Sequence, residues 1–201
     1  MAGREPLAAE GRPAERGWRA PSLRLTVREA SEVVAAALID ATLHFIFAGL
    51  PLSSMPINGV TLSVQPAVVV PIFMGLTAGP LVGGLVGLAG RFLGDLLAGQ
   101  GINGFGLLYS AVLGLVAGLG YRRLNGFRNL GQVALAFGCA VLACAAASLA
   151  SVLLAQTLLW RSLALSDGLN STLSQFLSGA IITLLLVSTP LFVWDRTLKR
   201  T

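Results

Sequence analysis

The chain has 201 residues, 55% of them hydrophobic and 11% charged, with a mean hydropathy of +0.79. Soluble domains carry about 25% charged residues, so this composition excludes an ordinary water-soluble protein and predicts an integral membrane protein. The net charge of +5 does not point to nucleic acid, because twelve of the 14 Lys and Arg fall in three clusters: the segment up to Arg28, the turn Arg122–Arg128, and Arg196–Arg200.

Residues 1–21 are rich in Arg, Ala and Pro and contain no apolar h-region, so they predict a poorly ordered cytoplasmic tail and not a signal peptide. Residues 22–201 are expected to form one transmembrane domain. Its first span covers about 29–48, and a long turn-rich link (GLPLSSMPINGV) follows. The second, 61–76, carries Pro66 and Pro71 and is expected to be kinked or partly unwound. The remaining spans are predicted at 79–98, 105–121, 130–157 and 171–194. With six spans and an inside N-terminus, every Arg-bearing cluster falls inside and the outer links carry only Arg161. The expected fold is therefore an all-α membrane protein with six transmembrane helices and both termini cytoplasmic.

Small residues mark the expected helix contacts. Gly83, Gly87, Gly90 and Gly94 share one face of the third span, and Gly106, Ser110, Gly114 and Gly118 recur every four residues in the fourth. These ridges predict a close contact between the two spans. Ala37 and Ala41 form a further small patch in the first. Cys139 and Cys144, five apart on one predicted helix, point to different faces and are expected to pack as small apolar residues, not to form a disulfide or bind a metal.

Four ionisable residues lie inside predicted spans: Asp40 with His44, and Arg91 with Asp95. Each pair is spaced i, i+4 and shares a helix face. A charged Asp or Arg at mid-membrane costs about 2.5–3.5 kcal/mol on insertion scales, so each pair is either a self-neutralising structural contact or a site that lends one member to a solute. On the predicted topology both pairs fall in the outer half, level with Asn103, Tyr109, Gln156 and Trp160. Ser171, Ser174, Gln175 and Ser178 add a polar stripe at the outer end of the sixth span, above an apolar IITLLLV. One-sided polarity confined to the outer half predicts a pocket opening outward. Its expected lining is His44, Arg91, Asn103, Tyr109, Gln156, Trp160 and Gln175, with Tyr109 and Trp160 supplying stacking surface and Arg91 meeting an anionic or carbonyl group. Catalysis is not expected: there is one His, no metal-ligand cluster, no Gly-x-Ser-x-Gly and no phosphate loop, and no cofactor is implied.

Where AGPLVGGLVGLAGRFLGDLLAG passes into GFGLLYSAVLGLVAGLGYRR, the sequence resembles the substrate-binding S component of an energy-coupling factor (ECF) transporter. The features shared with that family are Gly79-Pro80 opening a glycine-rich third helix, Gly94-Asp95 within it, and Gly114, Gly118 and Arg122-Arg123 in and after the fourth. The resemblance covers residues 75–123 and implies uptake of a vitamin-like micronutrient, bound in an outer-half pocket capped by the loop Gly49–Val60. It also implies docking, through Ala37 and Ala41, on a transmembrane coupling subunit driven by two ATPase subunits. GLAGRFLGD is also similar to the membrane module of LytS-type sensor kinases, where a glycine-rich helix carries an Arg near this point. The chain ends seven residues after its last predicted span, which favours the transporter subunit. A sensor module and a purely structural or assembly protein stand as the alternatives.

Overall fold

The computed structural model describes residues 26–48, 55–57, 60–62, 65–99, 101–124, 130–158, 173, 174, 176–181 and 183. Helix α1 runs Val27–Ala48, and its first turn is closed by Thr26 and Glu29: the Thr26 N–H donates to Glu29 Oε2 (2.7 Å) and the Glu29 N–H donates to Thr26 Oγ1 (3.2 Å). The link after α1 contains a hairpin that the sequence did not suggest. Strands β1 (Met55–Ile57) and β2 (Val60–Leu62) pair antiparallel with Met55 opposite Leu62. Residues 61 and 62, assigned above to the second span, belong to β2. The remainder of the Gly49–Val60 cap lies outside the described residues.

Pro66 opens a single 3-10 turn (Pro66–Val68) that leads into α2 (Val69–Ala78). Pro66 thus opens the 3-10 turn, a local departure from regular α-helix, and Pro71 falls near the start of α2. Pro71 sits in the first turn of α2, where its missing N–H would have had no partner. At 10 residues α2 is about 15 Å long, too short to cross a bilayer alone. Gly79 joins α2 to α3 (Pro80–Leu97) at φ +106°, a backbone conformation open to glycine, and Pro80 then fixes the first helical residue. Helix α4 covers Gly104–Gly118, a 3-10 turn covers Tyr121–Arg123, and α5 covers Leu130–Leu158. The described residues between 173 and 183 are helical and belong to the sixth segment.

Helix α3 lies between α1 and α4, α4 packs on α5, and α2 rests against both α3 and α4. Val69, Ile72 and Leu76 of α2 meet Leu113 and Ala117 of α4 and Ala136, Ala140, Ala143 and Ala147 of α5. A smaller cluster joins Ala36, Met74, Val82 and Val86. Large apolar residues also cover the outside. On α5, Leu135, Leu142, Leu149 and Leu153 form one exposed stripe, with Leu142 65% exposed. Water would oppose that surface and lipid chains would not. Helices Val27–Ala48, Pro80–Leu97 and Gly131–Leu154 are long and apolar enough to cross a membrane.

The glycine ridge of α3 is divided among its neighbours. A Cβ on Gly83 would lie 2.6 Å from Gly75 Cα of α2 and 2.7 Å from the Gly114 carbonyl oxygen, and one on Gly87 would meet the Ser110 backbone at 2.6 Å, so this half faces α4, with α2 also against Gly83. Gly118 faces Pro80 at the start of α3. Gly90 and Gly94 face α1 instead: added Cβ atoms would lie 2.6 Å from Asp40 Cβ and 2.7 Å from His44 Cδ2. On the same side of α1, Ala37 and Ala41 are 2% and 1% exposed. The Ala37/Ala41 patch is thus turned into the bundle and not outward as a docking face would require. Packing of α1 on the glycines of α3 uses that face inside the chain.

Candidate solute-binding site

The site forms where α3 ends and α4 begins. Arg91 and Asp95 stand one turn apart on α3, and His44 reaches them from α1. Asp95 is 1% exposed, and its Oδ1 lies 3.0 Å from Arg91 Nε and 3.2 Å from His44 Nε2. Neither contact meets linear hydrogen-bond geometry, so Arg91 makes a close charge contact with Asp95 and His44 a close polar contact, and neither is a well-aligned hydrogen bond. The other oxygen, Oδ2, accepts the backbone N–H of Asn103 at 3.0 Å. One carboxylate therefore joins α1, the body of α3 and the turn into α4.

Asn103 also caps α4. Its Oδ1 accepts from the N–H groups of Phe105 (3.2 Å) and Gly106 (3.3 Å). Gly99 and Gly101 take positive φ (+64° and +73°) in the turn between the helices, where no neighbour restricts them. The chain can then reverse tightly enough to bring Asn103 back over Asp95.

Beside this junction is a cavity of about 140 Å³. Its wall includes Gln65, Arg91, Asn103, Phe105, Tyr109 and Ser178. Among the described residues that line it, Arg91 alone carries a charge. Gly106, expected from its spacing to be a helix-contact residue, has a different neighbour: a Cβ there would lie 2.9 Å from Arg91 Cζ. The missing side chain leaves room for the guanidinium at the cavity wall. Tyr109 runs toward the sixth segment, where a Cβ on Gly179 would come within 2.8 Å of its hydroxyl oxygen and 3.0 Å of Cys144 Sγ.

Of the seven residues expected to bind solute, the structure brings Arg91, Asn103 and Tyr109 to the cavity wall. His44 lies behind that wall on Asp95. Gln156 is in the last turns of α5 with its side chain outside the description, and Trp160, Ser171 and Gln175 fall outside the described residues. The two expected ion pairs differ in outcome. Arg91 and Asp95 are in contact, but His44 turns from Asp40 to Asp95 across the helix interface. Asp40 is buried over Gly90, and among the described residues its Oδ1 has no hydrogen-bond partner. Gln65, Phe105 and Ser151 line the cavity without having been singled out in the sequence. Gln65 directly precedes the 3-10 turn opened by Pro66, and polarity beside that helix start is the signal that could have found it. Cys139 and Cys144 are both free thiols, and Cys144 Sγ lies 3.8 Å from Thr183 Oγ1. No group of metal-ligating side chains occurs among the described residues.

Comparison with known proteins places this sequence in a family. The family model for the ECF-type riboflavin transporter S component matches residues 28–190. Curated relatives include UPF0397 proteins from Vibrio atlanticus (36% identical over 89 residues) and Aliivibrio salmonicida (35% over 89 residues). Each match covers 44% of this chain and 48% of the relative, so the chain spans about half the length of the curated relatives it matches. No solved structure matches. The matched region takes in every helix described above, from α1 through the sixth segment, and the chain belongs to the family of ECF-type riboflavin transporter S components.

Proposed function

We propose that the chain is the substrate-binding subunit of an ECF-type importer, which captures a vitamin-like micronutrient and passes it to a transmembrane coupling subunit powered by two ATPase subunits. The observation that carries the proposal is the cavity itself. In a member of an S-component family, it combines aromatic, amide, hydroxyl and guanidinium groups at one end of the helix bundle. The positive-inside rule supports cytoplasmic termini and puts that end in the outer half of the bilayer. A cell-membrane location follows from the same reading. A cavity of this size, about that of an engineered cavity that holds benzene, suits one ring or head group of a vitamin, with the remainder toward the opening. Gln156, Trp160 and Gln175 remain proposed members of the site on their place in the sequence alone.

Thermal-shift measurements on the purified protein in detergent test this, using a panel of water-soluble vitamins headed by riboflavin, which the family's description names. A rise in melting temperature with at least one vitamin, saturating at micromolar concentration or below, is expected. No rise with any member of the panel would overturn the proposal.

A further inference from the structure

The cavity wall is electrically one-sided. Arg91 is the charged residue among its described lining, and its side chain is 14% exposed against 1% for Asp95. The counter-charge is also occupied from behind. Asp95 Oδ1 serves Arg91 Nε and His44 Nε2 together, and Oδ2 serves the Asn103 N–H. Of the five N–H donors of a guanidinium, the one on Nε is the one that lies against Asp95, as a close charge contact. The remaining four are on the two amino groups Nη1 and Nη2, whose planar fork matches an oxyanion.

Two further features point the same way. Gly106 removes the Cβ that would press on the guanidinium, at 2.9 Å from both Cζ and Nε. The N-terminal turn of α4, with Phe105 and Gly106 at the wall, adds the positive end of a 15-residue helix beside the Arg91 side chain. A neutral ligand without an acceptor would leave the amino groups of the guanidinium without a hydrogen-bond partner on the cavity side, which is costly in a medium of low dielectric.

Building on the proposed solute-binding function, we infer that the cavity selects a ligand bearing an oxyanion, a carboxylate or a phosphate, and that Arg91 is the group that receives it. Asp95 and His44 act as positioning residues that hold the guanidinium plane at the wall. The aromatic faces of Phe105 and Tyr109 take the uncharged part of the ligand.

Matched pairs of ligands that differ in charge test this on the intact protein by calorimetry and thermal shift. Suitable pairs are riboflavin 5′-phosphate and riboflavin, nicotinate and nicotinamide, pantothenate and pantothenol, and biotin and its amide. The first carries a phosphate and the others a carboxylate, so the pairs also separate the two oxyanions. In the pair that binds, the anionic member is expected to bind at least about 10-fold more tightly, as one charge-assisted contact implies. Arg91→Gln is expected to erase that preference and Arg91→Lys to keep part of it. If Arg91→Gln fails to fold, the wild-type comparison decides alone. A neutral member binding as tightly as its anionic partner overturns the inference and leaves the transport proposal standing, as does a folded Arg91→Gln protein with unchanged preference. Binding of no member of any pair overturns the inference, and overturns the transport proposal as well when no vitamin of the wider panel binds.

Discussion

His44 Nε2 of α1 lies 3.2 Å from Asp95 Oδ1 of α3, on the oxygen that also receives Arg91 Nε at 3.0 Å. Two helices and the turn into a third thus depend on one buried carboxylate. Breaking a buried pair by removing one partner typically costs about 3–5 kcal/mol, whereas replacing both by apolar groups of similar volume is often close to neutral. Asp95→Asn keeps the size and an acceptor for the Asn103 N–H but strands the Arg91 cation. It is expected to lower the melting temperature markedly, and the double variant Arg91→Met with Asp95→Leu to recover most of that loss. Neither protein is expected to bind solute. Thermal unfolding followed by tryptophan fluorescence, with binding measured on the folded fraction, checks both statements. A double variant no more stable than Asp95→Asn would show that the carboxylate matters through the Asn103 turn and not through Arg91.

Gly106 separates site from scaffold. A methyl group at this position meets the far end of the Arg91 side chain, with no backbone among its nearest atoms. The bundle itself need not move, so Gly106→Ala is expected to change stability by less than about 1 kcal/mol. The guanidinium, tethered to Asp95, must shift away from the wall, and affinity for the solute is expected to fall about 10-fold or more. Calorimetric titration of wild type and variant measures this directly. Equal affinities would remove Gly106 and the present Arg91 position from the binding account.

Parts of this arrangement were legible in the sequence and parts were not, for definable reasons. The long apolar helices follow from composition, because lipid tolerates no unpaired backbone and few charges. Periodicity places Gly83, Gly87, Gly90 and Gly94 on one face but does not say which helix covers each part of it. In the structure α4 takes the first two, sharing Gly83 with α2, and α1 the last two. For the same reason the i, i+4 spacing of Asp40 and His44 suggested a pair within α1, although a neighbouring helix offered His44 a better partner. Strands of three residues are too short to show alternation, so β1 and β2 were invisible in a link rich in turn residues. Arg91, Asn103 and Tyr109 stood out as polar groups at one depth. Phe105 and Ser151 did not, since their place at the cavity depends on helix rotation.

The orientation of α1 yields a test of how the subunit meets a partner. Ala41 is 1% exposed and faces α3, while Ala35 lies on the outer surface of the same helix. Ala41→Leu overpacks the interior and is expected to cost about 1–3 kcal/mol, with solute binding impaired because His44 moves with it. Ala35→Leu is expected to leave the melting temperature and solute binding unchanged. Uptake assays in cells complete the comparison. An Ala41→Leu protein of wild-type stability and affinity that nevertheless fails in uptake would return Ala37 and Ala41 to the docking role that the family resemblance implied.

The close approach of α3 and α4 predicts a steep contrast between glycines. At Gly114 a Cβ would press on the Gly83 carbonyl group and lie 2.7 Å from the Gly84 nitrogen, both of them backbone atoms that no rotamer change can move. At Gly138, on α5, no atom lies within 4 Å of the added carbon. Gly114→Ala must therefore push the helices apart and is expected to destabilise the bundle by about 2 kcal/mol or more. Gly138→Ala gains helix propensity at an exposed position and is expected to be neutral or slightly stabilising, by up to about 1 kcal/mol. Melting temperatures of the two variants in one detergent give the comparison without reference to any ligand. Because Gly114 lies on the backbone contact that sets the spacing of α3 and α4, and Arg91 and Tyr109 project into the cavity from those same helices, loss of solute affinity is expected to accompany the loss of stability in Gly114→Ala alone. An affinity in that variant equal to wild type would mean that the cavity holds its shape independently of the glycine contact.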